Sequence, residues 1–225
     1  MSANSVGLTR TLDLPPSRIE LVLSEIREGI LTRKLAPGQP LVEAEFAKAM
    51  GVSKTPVREA LKILSQSGLV TFTPFKGASV TTVDPPFIRS VAEVRLLLEP
   101  EAVRRAVSDG DPGLFQGAAT ALDEARDAAA AGDQGRLSLL NRQFHASMYA
   151  GCGNQMLIDI LENLRDRAAL ISVVGWTASP TWETEWAEHR AILEAALNGD
   201  AGSAADLLRN HLQEFMDRAL KQFTP

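Results

Sequence analysis

The chain has 225 residues, of which 45% are hydrophobic, 23% charged and 5% aromatic, and its net charge is −5. That balance supplies enough apolar side chain for one or two domains with real cores, and it excludes low-complexity disorder and collagen-like structure. Its one cysteine, Cys152, excludes an internal disulfide and a cysteine-based zinc finger, and with no signal peptide and no apolar stretch near the roughly 20 residues that cross a bilayer, a soluble cytoplasmic protein is expected.

The charge is unevenly divided. Residues 1–83 carry ten Lys and Arg against seven Asp and Glu, whereas residues 84–225 carry thirteen against twenty-one. A basic N-terminal third on an acidic body suits a polyanion-binding module joined to a partner that binds none. Charge alone does not separate this from chance variation.

In chain order, Pro16 can start a helix from Ser17 to about Thr32, with Ile19, Val22, Leu23, Ile26 and Ile30 on one face. A short helix follows from about Glu43 to Met50, stopped by Gly51. Ser53 or Thr55 can cap a third, running to about Ser67, whose apolar face is Val57, Ala60, Leu61 and Leu64. Leu69 to Thr73 and Ala78 to Val83 read as strands joined by Pro74-Phe-Lys-Gly77. Asp84-Pro85-Pro86 reads as a linker, closing a first domain over residues 1–83. Three small helices followed by a hairpin describe a winged helix-turn-helix.

Such a motif presents the start of its second helix to the major groove. Ser53, Lys54, Thr55 and Arg58 cluster there, where free backbone N–H groups also favour phosphate. Arg58 can donate a bidentate pair to a guanine edge. Lys76, at the hairpin tip beside Gly77, is placed to reach a phosphate or the minor groove. Double-stranded DNA is the expected partner.

The stretch Ile30-Leu-Thr-Arg-Lys-Leu-Ala-Pro-Gly38, the block Gly51-Val-Ser-Lys-Thr-Pro-Val-Arg-Glu-Ala-Leu61 and Gly68-Leu-Val70 resemble the GntR family of bacterial transcription regulators. The resemblance implies operator contacts by Lys54, Thr55, Arg58 and the wing glycine Gly77. Where many members carry an arginine, this chain has Ala44.

Residues 87–225 read as a second domain. Helical segments are predicted at roughly 87–107, 112–131, 134–150, 154–174, 181–198 and 200–222, with Asn154 and Asp200 as N-caps. Pro100 should kink the first of them near Leu96. The fold expected is therefore mainly α, an N-terminal winged helix-turn-helix plus a C-terminal six-helix antiparallel bundle.

The three histidines of the chain all fall in this second part. His189 and His211 lie on apolar helix faces, and His145 shares a face with Asn141 one turn earlier. A single inward histidine is commonly a satisfied core residue. Three facing one bundle interior suit Zn²⁺, Ni²⁺ or a similar divalent ion with positions left open. Arg95 lies on an apolar stripe with Val91, Leu98 and Ala102, so it needs an anion: either Glu99 at i+4 or a ligand carboxylate.

The run Val91-Ala-Glu-Val-Arg95, Leu98-Glu-Pro100, Asn141-x-x-Phe-His145, Glu188-His189 and His211 resemble the FCD effector domain of FadR-type regulators, in its VanR-like group. The resemblance implies a divalent metal (Zn, Ni or Mn) on Asn141, His145, His189 and His211, where Asn141 replaces the usual aspartate. It further implies a small carboxylate effector bridging that metal and Arg95, and a homodimer reading a palindromic operator. A ligand-responsive regulator, most commonly a repressor in this family, is thus expected. The alternatives are a metal-dependent hydrolase on a DNA-binding head, for which Glu188 is the nearest general base, and a purely structural dimerisation domain with core histidines.

Overall fold

The structure is a computed structural model that describes residues 16–178 and 181–223. Helix α1, Arg18–Leu31, begins in a capping box: the Ser17 hydroxyl accepts from the Glu20 backbone N–H at 3.2 Å, and Glu20 Oε2 accepts from the Ser17 N–H at 2.6 Å. Helix α2, Glu43–Met50, stops at Gly51 in the left-handed conformation (φ 65°). Ser53 takes the N-cap position of α3, Lys54–Gln66, yet its hydroxyl makes no capping bond, so the first N–H groups of α3 keep their donors.

Strands β1, Val70–Thr73, and β2, Gly77–Val80, form the hairpin, with Val70 opposite Val80 and Thr73 opposite Gly77. The second strand stops earlier than its apolar pattern, which continues to Val83. Ile26, Ile30, Leu61, Leu64, Leu69 and Val80 are the centre of the N-terminal core.

Asp84-Pro85-Pro86 is no linker. Asp84 is the N-cap of α4, Pro85–Ser108, accepting from the Phe87 N–H at 2.8 Å, and both prolines occupy the first turn. A proline there lacks only an N–H that has no helical partner anyway. Helix α4 also runs on through Pro100. Pro100 leaves the Leu96 carbonyl without its helical donor, and Arg209 supplies one at 3.3 Å.

The bundle is completed by a 3₁₀ turn, Pro112–Phe115, then α5, Gln116–Ala130, α6, Gln134–Tyr149, α7, Gln155–Ala178, α8, Trp182–Leu197, and α9, Ala201–Lys221. Its interior is built on Val103, Phe115, Phe144, Met148, Ile192 and Leu212. No helix among the described residues is long and apolar enough to cross a membrane.

The two cores are joined. Ala169 and Leu170 of α7 are buried in the N-terminal cluster, whereas Ala168 and Ile171 pack on α4 and α9. Beside them Arg167 donates to the Gln66 carbonyl at 2.9 Å and lies so close to Gly68 (φ 78°) that a Cβ there would collide with it.

Candidate DNA-contact face and metal centre

On the N-terminal head, Ser53, Lys54, Thr55 and Arg58 are all exposed along the start of α3, and Lys76 and Gly77 are exposed at the wing tip. Arg58 is not free. Its Nε and Nη2 donate to the two Glu43 oxygens at 3.0 and 2.8 Å, a fork across from α3 to α2 that also holds the Glu43 carboxyl below its usual range. Ala44 is exposed on α2 next to that pair.

In the bundle, His145 of α6, His189 of α8 and His211 of α9 are buried, with ligand-capable nitrogens all within 4.8 Å of one another. His189 Nε2 and His211 Nε2 lie 3.1 Å apart, and the Phe144 ring stacks on His189 at 4.2 Å. Burial pushes the His145 imidazole down to about 4, with the Arg95 charge adding to it, and burial likewise holds His189 well below the ordinary histidine range. Both are neutral near pH 7 and keep a lone pair for a cation.

His211 has a partner on its far side. Glu188 Oε2 lies 2.6 Å from His211 Nδ1, and Arg218 grips Glu188 through both nitrogens at 2.9 and 3.0 Å. A carboxylate on Nδ1 fixes the ring so that Nε2 faces the cluster, as metal-bound histidines commonly require. Glu188 does point away from its neighbour His189, as the helix geometry predicts, but onto the next helix.

Asn141 lines the narrow cavities on both sides of the cluster. Its Oδ1 is buried without a hydrogen-bond partner, which an oxygen-binding cation would repair. Three imidazoles and an orphan amide oxygen therefore fit a divalent metal ion of the Zn, Ni or Mn kind.

Arg95 is paired. It is buried and forks onto Glu99, Nε to Oε1 at 2.5 Å and Nη2 to Oε2 at 3.1 Å, while Glu99 Oε2 also lies 3.2 Å from His145 Nδ1. Burial works against the Glu99 anion, but the Arg95 charge and His145 outweigh it and hold the carboxyl at about 2. Of the two anions weighed for Arg95, the intramolecular one occupies it here. The cavity beside them, lined by Arg95, Glu99, Asn141, Arg142 and His145, measures about 20 Å³, room for a water and not for a carboxylic acid.

Sequence reasoning missed Glu43, the contact of Glu188 with His211 and the contact of Glu99 with His145. It weighed Glu99 only as a partner for Arg95.

A helix-turn-helix head with a wing, joined to a helical domain that encloses three histidines and a buried arginine, is the architecture of a DNA-binding regulator. Residues 19–80 match the bacterial regulatory proteins of the gntR family and residues 90–214 match the FCD domain; the chain belongs to the GntR-type transcription regulators with an FCD domain. It is 32% identical, over 86% of its length and 81% of the relative, to an HTH-type transcriptional regulator in an unstable DNA locus of Streptomyces ambofaciens. It is 26% identical to the HTH-type transcriptional repressor RspR of Escherichia coli, covering 85% of this chain and 84% of that one. A GntR transcriptional regulator of Rhodococcus sp. RHA1 has the same fold, with a TM-score of 0.81 over 92% of this chain and 99% of that one at 24% identity. These relatives are regulators, not enzymes, and Glu188 is engaged with His211 and Arg218 instead of standing as a general base.

Proposed function

We propose that this regulator is a cytoplasmic homodimeric repressor that binds a palindromic operator and responds to a small carboxylate. Ser53, Lys54, Thr55 and Arg58 read or anchor the major groove, and Lys76 and Gly77 meet the adjacent backbone or minor groove. His145, His189 and His211 hold a divalent metal with Asn141 as a fourth, weaker ligand. The observation that carries this reading is the placing of three buried imidazoles, within 4.8 Å of one another, directly beside the Arg95–Glu99 pair.

The chain's own residues define the switch. Arg95 carries one guanidinium fork and Glu99 fills it. An effector carboxylate takes the place of Glu99, so one anion is exchanged for another and the buried cation is never left alone. When bound, the metal supplies a second cationic point for the same carboxylate. Glu99 must then leave its position, shifting α4 and the cavity wall it shares with Arg142. Arg142 and Arg27 of the head both bind Asp166, so this movement is felt by α1, which packs against the α3 that carries the DNA-contact residues. The repressor assignment draws on RspR, a repressor by name.

The test is a thermal-shift screen of small carboxylic acids on metal-free and metal-loaded protein, followed by operator binding with the acids that stabilise. The expected result is stabilisation that grows with concentration and requires metal, coupled to release of DNA. Histidines that serve only as core residues would give no metal uptake and no metal dependence.

A further inference from the structure

The wing turn carries a residue that the DNA-contact residues named above leave out. Thr73 to Lys76 is a β-turn closed by the Lys76 N–H on the Thr73 carbonyl at 3.1 Å, with Pro74 in its second position and Phe75 in its third. Phe75 has φ 64°, the left-handed region in which this turn position favours Gly or Asn. Its side chain is also fully exposed, at 109% relative accessibility, while Lys76 beside it is exposed as well. Scattered exposed apolar residues are ordinary. A large aromatic held at the outermost point of a hairpin by a strained backbone is a different matter, because both the exposure and the dihedral oppose it in the free protein.

We infer that Phe75 is a minor-groove contact: it enters the groove ahead of Lys76 and wedges against one base step, partly unstacking it. The chemistry matches. The head is basic although the whole chain is acidic, so the wing approaches a polyanion. Lys76 supplies the charge for the flanking phosphate, and the groove between offers sugar edges and base faces to an apolar ring. The inference rests on docking of the wing against DNA, which Lys76 tests separately.

The experiment uses full-length protein and a duplex selected by the wild type from a randomised pool, with 2-aminopurine placed in turn at each position facing the wing. Phe75→Ala removes the ring, and Phe75→Asn removes it while relaxing the backbone. Both should weaken binding roughly 5- to 100-fold, the range of one aromatic–base contact, with the salt slope unchanged because no counterion is involved. Both should also abolish a 2-aminopurine fluorescence rise that the wild type produces at one step. Lys76→Ala should keep that rise and shallow the salt slope by about one unit. Phe75 variants that bind like the wild type, or that lose affinity when no position brightens with wild type, overturn the wedge. A Lys76→Ala protein with unaltered affinity and slope overturns the docking itself.

Discussion

Asp166 of α7 accepts a hydrogen bond from Arg27 of α1 at 3.1 Å, joining the effector domain to the DNA-binding head through a buried carboxylate. The other oxygen of Asp166 lies 2.8 Å from Arg142 Nη2, and Arg142 follows Asn141 in the wall of the cavity beside Arg95 and Glu99. Two discrete partners on one carboxylate give the proposed ligand site and the head a shared, physically continuous element.

Arg27→Gln cuts the link on its more exposed side while leaving Asp166 paired with Arg142. Carboxylate and metal affinities should stay at wild-type values, whereas the change in operator affinity on ligand binding should shrink several-fold. Calorimetry of the ligand and fluorescence anisotropy of labelled operator, on the same preparation, report the two halves. Undiminished coupling would place the connection elsewhere.

Glu43 and Arg58 make a second forked pair, on the DNA side. Arg58→Ala should cost about 1–3 kcal/mol of specific binding with little loss of fold. Glu43→Gln removes a negative charge and the fork that orients Arg58, so it should raise affinity for random duplex and narrow the gap between operator and random DNA. Competition titrations check the ratio; an unchanged ratio contradicts an orienting role.

Asn141 is where the proposed metal site is weakest in charge. Asn141→Asp should tighten metal binding, since a carboxylate answers the cation that a neutral amide only solvates. Competition with a chromogenic chelator measures it, and equal affinities would remove residue 141 from the ligand set.

Glu188 bears on the proposed metal site through His211. Glu188→Gln keeps the shape but loses the charged acceptor on Nδ1, and should lower metal affinity about 10- to 100-fold. Secondary structure by circular dichroism should be unaltered. A loss of metal affinity that is restored by Glu188→Asp separates orientation from general damage.

How legible all this was in the sequence depends on distance along the chain. Ser17 with Glu20 three residues later announces a helix start, and His189 and His211 announce burial by the apolar residues around them. The possible pairing of Arg95 with Glu99 was visible because i,i+4 is a helix neighbour. Glu43–Arg58, Glu188–His211 and Arg27–Asp166 were invisible, since their separations of 15, 23 and 139 residues are set by how helices pack. Pro85 misled for a different reason. The N–H that proline lacks is idle in the first turn at Pro85, and at Pro100 the Leu96 carbonyl it leaves free accepts from Arg209.

The exchange of Glu99 for an effector carboxylate on Arg95 is the centre of the account. Replacing Arg95 alone would strand the buried Glu99 carboxylate, at roughly 3–5 kcal/mol, so the informative protein is Arg95→Met with Glu99→Gln. Its operator affinity should be measured with and without the carboxylate that most stabilises the metal-loaded wild type. The wild type should shift roughly 5- to 150-fold, and the double variant should bind operator as ligand-free wild type does and not respond. A folded, dimeric double variant that responds at wild-type ligand concentrations would contradict the exchange.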